Sequence, residues 1–199
     1  MKSEKRVLIP ITQGSEISEF AAFFDVFGWA RVEAGLPLTT TVAGTADVVT
    51  CSFGLRVHTD ALLDDIDPSD FDGVAIPGGF GDQGFFEGAY SEAFLRPIRI
   101  AADAGRPVAS VCTGALPIAR SGALKGRRGT TYHLGGGLRR QQLAEFGVEV
   151  VDEPIVTDGG IVTSTGPATA FDVAFGLITT LFGDEATAEL RRLMAFTAG

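Results

Sequence analysis

The chain has 199 residues, 45% of them hydrophobic and 21% charged, and its formal net charge is −9. A chain of this length can bury one substantial core, so we expect a single domain over residues 1–199. The excess of negative charge repels phosphate backbones, which argues against nucleic acid as a partner.

Short apolar segments alternate with longer segments of helical spacing. In chain order, strands are predicted at RVLIPI, LTTTVAG, DGVAIPGG, PVASV, GTTY, VEVVD and IVTST, with a side hairpin from VVTCS and LRVHT. Helices are predicted at SEISEFAAFFDVFGWARVEAG, SEAFLRPIRIAADAG, TGALPIARSG, GLRRQQLAEFG, GPATAFDVAFGLITTLFG and DEATAELRRLMAF. Pro97 is expected to kink the second helix or to delay its start. The alternation predicts an α/β fold, with a doubly wound, mostly parallel sheet and helices on both faces.

Neither targeting nor membrane insertion is predicted. The apolar run near the start is short, contains Pro10 and is not followed by a small-residue cleavage site, which argues against a signal peptide. The longest apolar stretch carries Asp172 and is too short to cross a bilayer. Two cysteines far apart give neither a disulfide framework nor zinc-site spacing, so we expect a cytoplasmic protein without a metal.

Functional residues are expected beyond the carboxyl ends of the strands, where open α/β sheets place their sites. Three strand ends carry unusual residues: TQGSEISE after the first strand, PGGFGDQG after DGVAI, and CTGA after PVASV. In a doubly wound sheet these turns can lie side by side.

Cys112 lies where a predicted strand meets a predicted helix. The amides that open the helix would stabilise a thiolate there and lower its pKa below the free value of about 8.5. Thr113 and Gly114 allow a tight turn like a nucleophile elbow, although the flanking residues are not G-x-S-x-G. The alternative is a buried filler cysteine, the usual role of a free cysteine. Cys51, in an apolar strand, is assigned to the core.

The glycine-rich turn after DGVAI admits two interpretations. Gly79, Gly81 and Gly84 have the G-x-G-x-x-G spacing of a dinucleotide site, but they lie mid-chain with no acidic residue at the expected distance, so no cofactor is predicted. We favour Gly78 and Gly79 as exposed amides forming an oxyanion hole beside the thiol. The aromatic residues here suit an apolar pocket mouth, an interface or the core: Phe80, Phe85 and Phe86.

Glu16 and Glu19 open the first predicted helix. Acidic residues in a first turn stabilise the helix dipole, which is the structural interpretation of both. The functional interpretation favours Glu19, because a carboxyl beside a thiolate would stay protonated, donate a hydrogen bond to sulfur and move protons during turnover.

The two histidines are interpreted differently. His133 follows GTTY at a predicted strand end, on the side of the sheet where catalytic residues lie, and is either catalytic or a polar surface residue. His58 lies in the side hairpin and is assigned a structural role.

Four blocks together resemble the ThiJ/PfpI superfamily: GSEISEFAAFFDVF, DGVAIPGGFG, SVCTGALPIARSGALKGRRGTTYH and VTSTGPATAFDVAFGLITTLFG. This glutamine-amidotransferase-like group includes the Parkinsonism-associated deglycase, glyoxalase III enzymes and isocyanide hydratase. The resemblance covers nearly the whole chain and implies a flavodoxin-like sandwich, a reactive cysteine at the elbow and a homodimer.

The resemblance assigns roles to individual residues. Cys112 is similar to the family cysteine, Glu19 to the acidic residue that holds it, and Gly79 to the amide donor of the PGG turn. Thr113 stands where the protease-like branch has His, which argues against peptidase activity.

A second departure concerns the residues after the Thr-Thr pair. Tyr132 stands where many relatives have His, with His133 one step further on. Because a one-residue step along a strand reverses the side-chain face, only one of the two is expected to face the sulfur. We lean towards His133 in the pocket, because it lies where strand geometry relaxes, and Tyr132 remains the alternative.

The resemblance implies a cofactor-independent cysteine enzyme acting on a small electrophile. Cys112 attacks an α-oxoaldehyde, Glu19 shuttles the proton, and the Gly79 and Thr113 amides hold the oxyanion. Lactate formation from methylglyoxal is the concrete form, and hydration of an isocyanide or amide is the closest enzymatic alternative. The alternative from another class is a non-catalytic stress or redox protein whose Cys112 is oxidised to sulfinic acid.

Overall fold

A central sheet organises the computed structural model, which describes residues 4–196. Within these residues the sheet has seven strands in the order β10-β11-β7-β6-β1-β2-β5. Its members are β1 Lys5–Ile11, β2 Leu38–Gly44, β5 Ala61–Leu62, β6 Gly73–Ile76, β7 Val108–Ser110, β10 Ile155–Asp158 and β11 Ile161–Ser164. Neighbouring strands are parallel except for the antiparallel pair β10 and β11. The predicted mostly parallel α/β sheet is confirmed.

Helices cover both faces of the sheet. They are α1 Ile17–Val32, α2 Phe85–Ala89, α3 Glu92–Asp103, α4 Ala115–Arg120, α5 Leu138–Glu145, α6 Ala170–Phe182 and α7 Asp184–Leu193. One apolar cluster joins α1, α6 and α7 to the sheet, and a second joins α2, α3, α4 and α5 to it. Burial of these two clusters supplies the main driving force for folding.

Four short strands lie outside the central sheet. β3 Val48–Thr50 and β4 Arg56–His58 form the predicted antiparallel hairpin. β8 Arg128–Gly129 pairs in parallel with β9 Glu149–Val150. The predicted GTTY strand is therefore wrong beyond Gly129.

Side-chain hydrogen bonds replace the strand ladder after Gly129. The Thr130 amide donates to Thr163 Oγ1 at 2.9 Å, and Thr131 Oγ1 donates to the Cys112 carbonyl at 2.8 Å. These bonds satisfy the Thr130 amide and the Thr131 hydroxyl without a neighbouring strand. The segment is thereby anchored beside Cys112.

Helix α3 begins before its proline. Ser91 caps the helix by accepting a hydrogen bond from the Phe94 amide, and the helix continues through Pro97 to Asp103. The expectation that Pro97 delays the helix start is wrong, because the Ser91 cap starts the helix at Glu92, five residues before the proline.

Adjacent phenylalanines of α1 provide a test of the core. Phe23 is fully buried, whereas Phe24 is 52% exposed. We expect Phe23→Ala to lower the free energy of unfolding by about 3–5 kcal/mol, because it leaves a cavity between α1 and the sheet. Phe24→Ala, the matched control, should cost less than about 1 kcal/mol. Urea denaturation measures both, and equal losses would contradict the assigned packing.

Candidate active site

Three turns meet at the carboxyl edge of the sheet, as predicted. β1, β6 and β7 are neighbours, so the turns that follow them lie together. The Glu16 amide donates to the Gly78 carbonyl at 2.8 Å, and Ser15 forms an isolated antiparallel bridge with Gly79. The turn after β1 is therefore bonded directly to the turn after β6.

Cys112 occupies a strained turn between β7 and α4. Its φ is 56°, in the left-handed region that non-glycine residues rarely adopt. The turn is held from both sides, because the Val111 amide donates to the Ile76 carbonyl and Thr131 Oγ1 donates to the Cys112 carbonyl. A Cβ at Gly114 would lie 2.8 Å from the Ile76 carbonyl oxygen. This is the predicted tight elbow, and it presents the thiol outside the sheet edge.

The Glu19 carboxyl lies beside the thiol and is completely buried. Its Oε2 accepts a hydrogen bond from the Gly78 amide at 2.6 Å, and the carboxyl also contacts the Cys112 side chain. Its Oε1 has no hydrogen-bond partner within residues 4–196. An unpartnered, buried carboxyl oxygen suits the protonated form better than the charged form.

Burial raises the pKa of Glu19 to about 8, and the nearby charge of Glu16 adds to this effect. The hydrogen bond from the Gly78 amide lowers the pKa and offsets the rise only in part. Glu19 is therefore a neutral acid at pH 7, as the sequence predicts, and can give up a proton near physiological pH.

Burial also raises the pKa of the Cys112 thiol, and the charge of an ionised Glu19 raises it further. The Thr113 amide lowers it but does not compensate. The expectation of a thiol pKa below the ordinary value is therefore wrong, because desolvation outweighs the hydrogen bonds from the Thr113 amide and side chain. A thiolate at Cys112 and a carboxylate at Glu19, on side chains in contact, would repel each other strongly. A thiolate therefore forms here only while Glu19 keeps its proton.

Gly78 and Gly79 fit the site closely. A Cβ at Gly78 would lie 2.9 Å from Glu19 Oε2 and 2.8 Å from Thr113 Oγ1. The Gly79 amide donates to Thr113 Oγ1 at 2.8 Å, and this hydroxyl donates to the Gly79 carbonyl at 2.9 Å. The Gly79 amide is thus occupied, and its role as an oxyanion donor stays a prediction that requires the Thr113 hydroxyl to rotate away.

A pocket of about 470 Å³ opens onto the thiol. This volume suits a small-molecule site. Of the predicted site residues, six line it: Cys112, Glu19, Gly79, Thr113, Phe80 and Tyr132. Gly78 does not line the pocket, and the expectation of its amide as an exposed oxyanion donor is wrong, because that amide is bonded to Glu19 Oε2.

His133 does not line this pocket. Its side chain is exposed, and the pKa of Asp152 is lowered mainly by the Arg140 hydrogen bond and slightly by the nearby His133. Tyr132 lines the pocket instead. The expectation of a pocket His133 is wrong, because the exposed His133 side chain lies beside Tyr132, with the ring centroids 6.4 Å apart, and only Tyr132 lines the pocket.

The remaining candidate residues differ in how deeply they are buried. Cys51 is buried in the core as expected, and burial raises its pKa to about 11. His58 is exposed on β4. Phe85 belongs to the core, whereas Phe86 is half-buried beneath a guanidinium.

Sequence reasoning missed several lining residues. One of them is Arg139, whose guanidinium stacks over the Phe86 ring. The others are Glu16, Gly81, Asp82 and Pro167. Glu16 does cap α1, since its carboxylate accepts from the Ser18 amide, but it also faces the pocket. The only sequence feature that could have pointed to Arg139 is the basic pair Arg139–Arg140 after the triple-glycine turn. Such a pair is usually solvated surface charge, so it did not predict a pocket residue.

Residues 4–196 contain neither a cluster of metal ligands nor a helix suited to crossing a membrane. No group of three or more His, Cys, Asp or Glu side chains is arranged to hold a metal ion. None of the helices in the same residues combines the length and apolarity that crossing a membrane requires.

A doubly wound sheet with a cysteine elbow and a buried carboxyl defines an α/β protein with a cysteine-centred site. The chain belongs to the DJ-1/PfpI family, whose pattern it matches over residues 5–180. The family resemblance is thus confirmed.

Relatives support this assignment. The chain is 30% identical to Protein DJ-1alpha of Drosophila melanogaster over 98% of this chain and 86% of that protein. It is 33% identical to Deglycase PfpI of Pyrococcus furiosus over 60% of this chain and 68% of that protein. The crystal structure of Drosophila melanogaster DJ-1beta superposes with a TM-score of 0.84 at 28% identity, covering 98% of this chain and all of that one.

Gly78 offers a steric test of the carboxyl's position. We expect Gly78→Ala to displace Glu19 and Thr113, because its Cβ would lie within 3 Å of both. Gly28→Ala is the control, since a Cβ at Gly28 meets nothing within 4 Å. Thermal unfolding should show a loss of about 1–3 kcal/mol for Gly78→Ala and none for Gly28→Ala. An unchanged melting temperature in Gly78→Ala would contradict the close fit.

The raised pKa of Glu19 makes stability depend on pH. The folded state holds this proton up to about pH 8, whereas the unfolded chain releases it near 4.5, so stability falls as pH rises between these values. Glu19→Gln cannot ionise and should lack this component, which amounts to at most about 5 kcal/mol. Urea denaturation of both proteins from pH 4.5 to 8.5 measures the difference. Parallel pH curves would show that Glu19 is not the group responsible.

Proposed function

We propose that the chain is a cofactor-independent cysteine enzyme that converts α-oxoaldehydes to 2-hydroxy acids, with methylglyoxal to lactate as the test reaction. The observation that carries the proposal is the pairing of a strained, pocket-facing Cys112 with a buried Glu19 whose pKa is about 8. A general acid and base works best when its pKa lies near the working pH.

The chemistry needs one nucleophile and one proton carrier. The reactive form of the site has a thiolate at Cys112 and a protonated Glu19. The thiolate adds to the aldehyde carbon while Glu19 gives its proton to the carbonyl oxygen. The resulting carboxylate removes the hydrogen from that carbon, and the electron pair moves to form an enediolate. Glu19 returns this proton to the neighbouring carbon, and the hydroxyl proton on the sulfur-bearing carbon moves to the neighbouring oxygen, which leaves a thioester of the 2-hydroxy acid. Water then hydrolyses the thioester, releasing the 2-hydroxy acid and restoring the thiol.

The surrounding residues support these steps. The Gly78 amide keeps Glu19 beside the sulfur, and the Thr113 amide stabilises charge there. The Gly79 amide adds to an oxyanion hole after the Thr113 hydroxyl rotates. Tyr132 and Phe80 form the walls against which a small aldehyde packs.

Two other functions are less well supported. Similarity to a protein named as a deglycase favours carbonyl chemistry over hydration of an isocyanide. A non-catalytic oxidation sensor would use the same Cys112 thiol, but it gives no role to the buried acid Glu19 or to the pocket in front of the sulfur.

Turnover of methylglyoxal by purified variants tests the proposal. Cys112→Ala should abolish lactate formation, and Glu19→Gln should lower kcat by about 100-fold or more, because the amide cannot carry the proton. Cys51→Ala and His133→Ala should retain wild-type rates, since neither residue lines the pocket. Absence of lactate formation by the wild-type protein would contradict the proposed reaction, and full activity in Glu19→Gln would remove Glu19 from it.

A further inference from the structure

Arg139 lies in the first turn of α5, directly after the turn Gly135–Gly137, and lines the Cys112 pocket. Among the described residues that line this pocket, it is the only one with a positively charged side chain. The proposed reaction assigns it no role.

The guanidinium is fixed in place without an ion-pair partner. It stacks over the Phe86 ring at 4.5 Å from the centroid, and Nη1 donates to Gln142 Oε1 at 2.8 Å. No carboxylate between residues 4 and 196 forms a salt bridge with it. A guanidinium has five N–H donors, so those not bonded to Gln142 remain for a ligand, and their fork geometry matches a carboxylate.

Three acidic side chains share the pocket with Arg139. Glu19 is neutral at pH 7 because burial raises its pKa to about 8. The Glu16 carboxylate already accepts from the amide and hydroxyl of Ser18. Asp82 is exposed and therefore screened by water. An anionic group entering the pocket would therefore be attracted by Arg139, the one cationic lining side chain among the described residues, against the opposing charge of Glu16.

We propose that Arg139 is a specificity-determining residue that binds a carboxylate on the electrophile attacked by Cys112. The preferred substrates are then small electrophiles in which an anionic group lies close to the reactive carbon. This inference rests on the proposed function only in taking Cys112 as the nucleophile. It also distinguishes anionic from neutral electrophiles, which the proposed reaction does not.

Two nearly isosteric alkylating agents, iodoacetate and iodoacetamide, test this without any turnover. In each case the sulfur–carbon bond forms as iodide leaves, and only iodoacetate carries a negative charge. Mass spectrometry of the Cys112 peptide gives the two alkylation rates. Both rates are proportional to the fraction of Cys112 present as thiolate, so this fraction cancels in their ratio. We expect Arg139→Gln to lower the iodoacetate-to-iodoacetamide ratio by about threefold, and Arg139→Lys, which keeps the charge, to lower it less.

Arg120→Gln is the matched control. Arg120 also stacks on an aromatic ring, that of Tyr90 at 4.6 Å, but does not line the pocket, so its loss should leave the ratio unchanged. An unchanged ratio in Arg139→Gln, or an equal fall in Arg120→Gln, would overturn the proposal. Because alkylation needs no catalytic cycle, a fall confined to Arg139→Gln supports the proposal even if no α-oxoaldehyde is turned over.

Discussion

The hydrogen bond from the Gly78 amide to Glu19 is the interaction on which the site depends. It joins the turn after β6 to the first turn of α1 and holds a carboxyl where no water competes. Gly78 permits it, because any side chain there would occupy the space of the carboxyl oxygen. A single backbone amide is too weak to keep the carboxyl charged against its burial, so the same bond that positions the acid leaves it protonated.

The elbow at Cys112 has a cost that the surrounding structure offsets. A non-glycine residue at positive φ is disfavoured by about 1–2 kcal/mol. Contacts with two other segments hold it: β6, whose Ile76 carbonyl accepts from Val111 and lies against Gly114, and the Thr131 hydroxyl, which donates to the Cys112 carbonyl. Strain of this kind persists where neighbouring segments determine the backbone, which is typical of functional sites.

Much of this arrangement could be predicted from sequence, because it depends on local patterns. Apolar strands between amphipathic helices predict the parallel sheet, and the strand-to-helix junction predicts the elbow. Three features depend on distant contacts that no local pattern reveals. Burial among segments far apart in sequence raises the Cys112 pKa, a hydroxyl from the next turn occupies the Gly79 amide, and Arg139 reaches the pocket from α5.

The central claim is that Glu19 holds a proton at neutral pH beside the thiol. Titration of protein labelled with ¹³C at its glutamate carboxyl carbons tests it most directly, with Glu19→Gln assigning the resonance. The account predicts one carboxyl that titrates near pH 8 and disappears in the variant. A Glu19 resonance that titrates at the ordinary glutamate value of about 4.3 would contradict it.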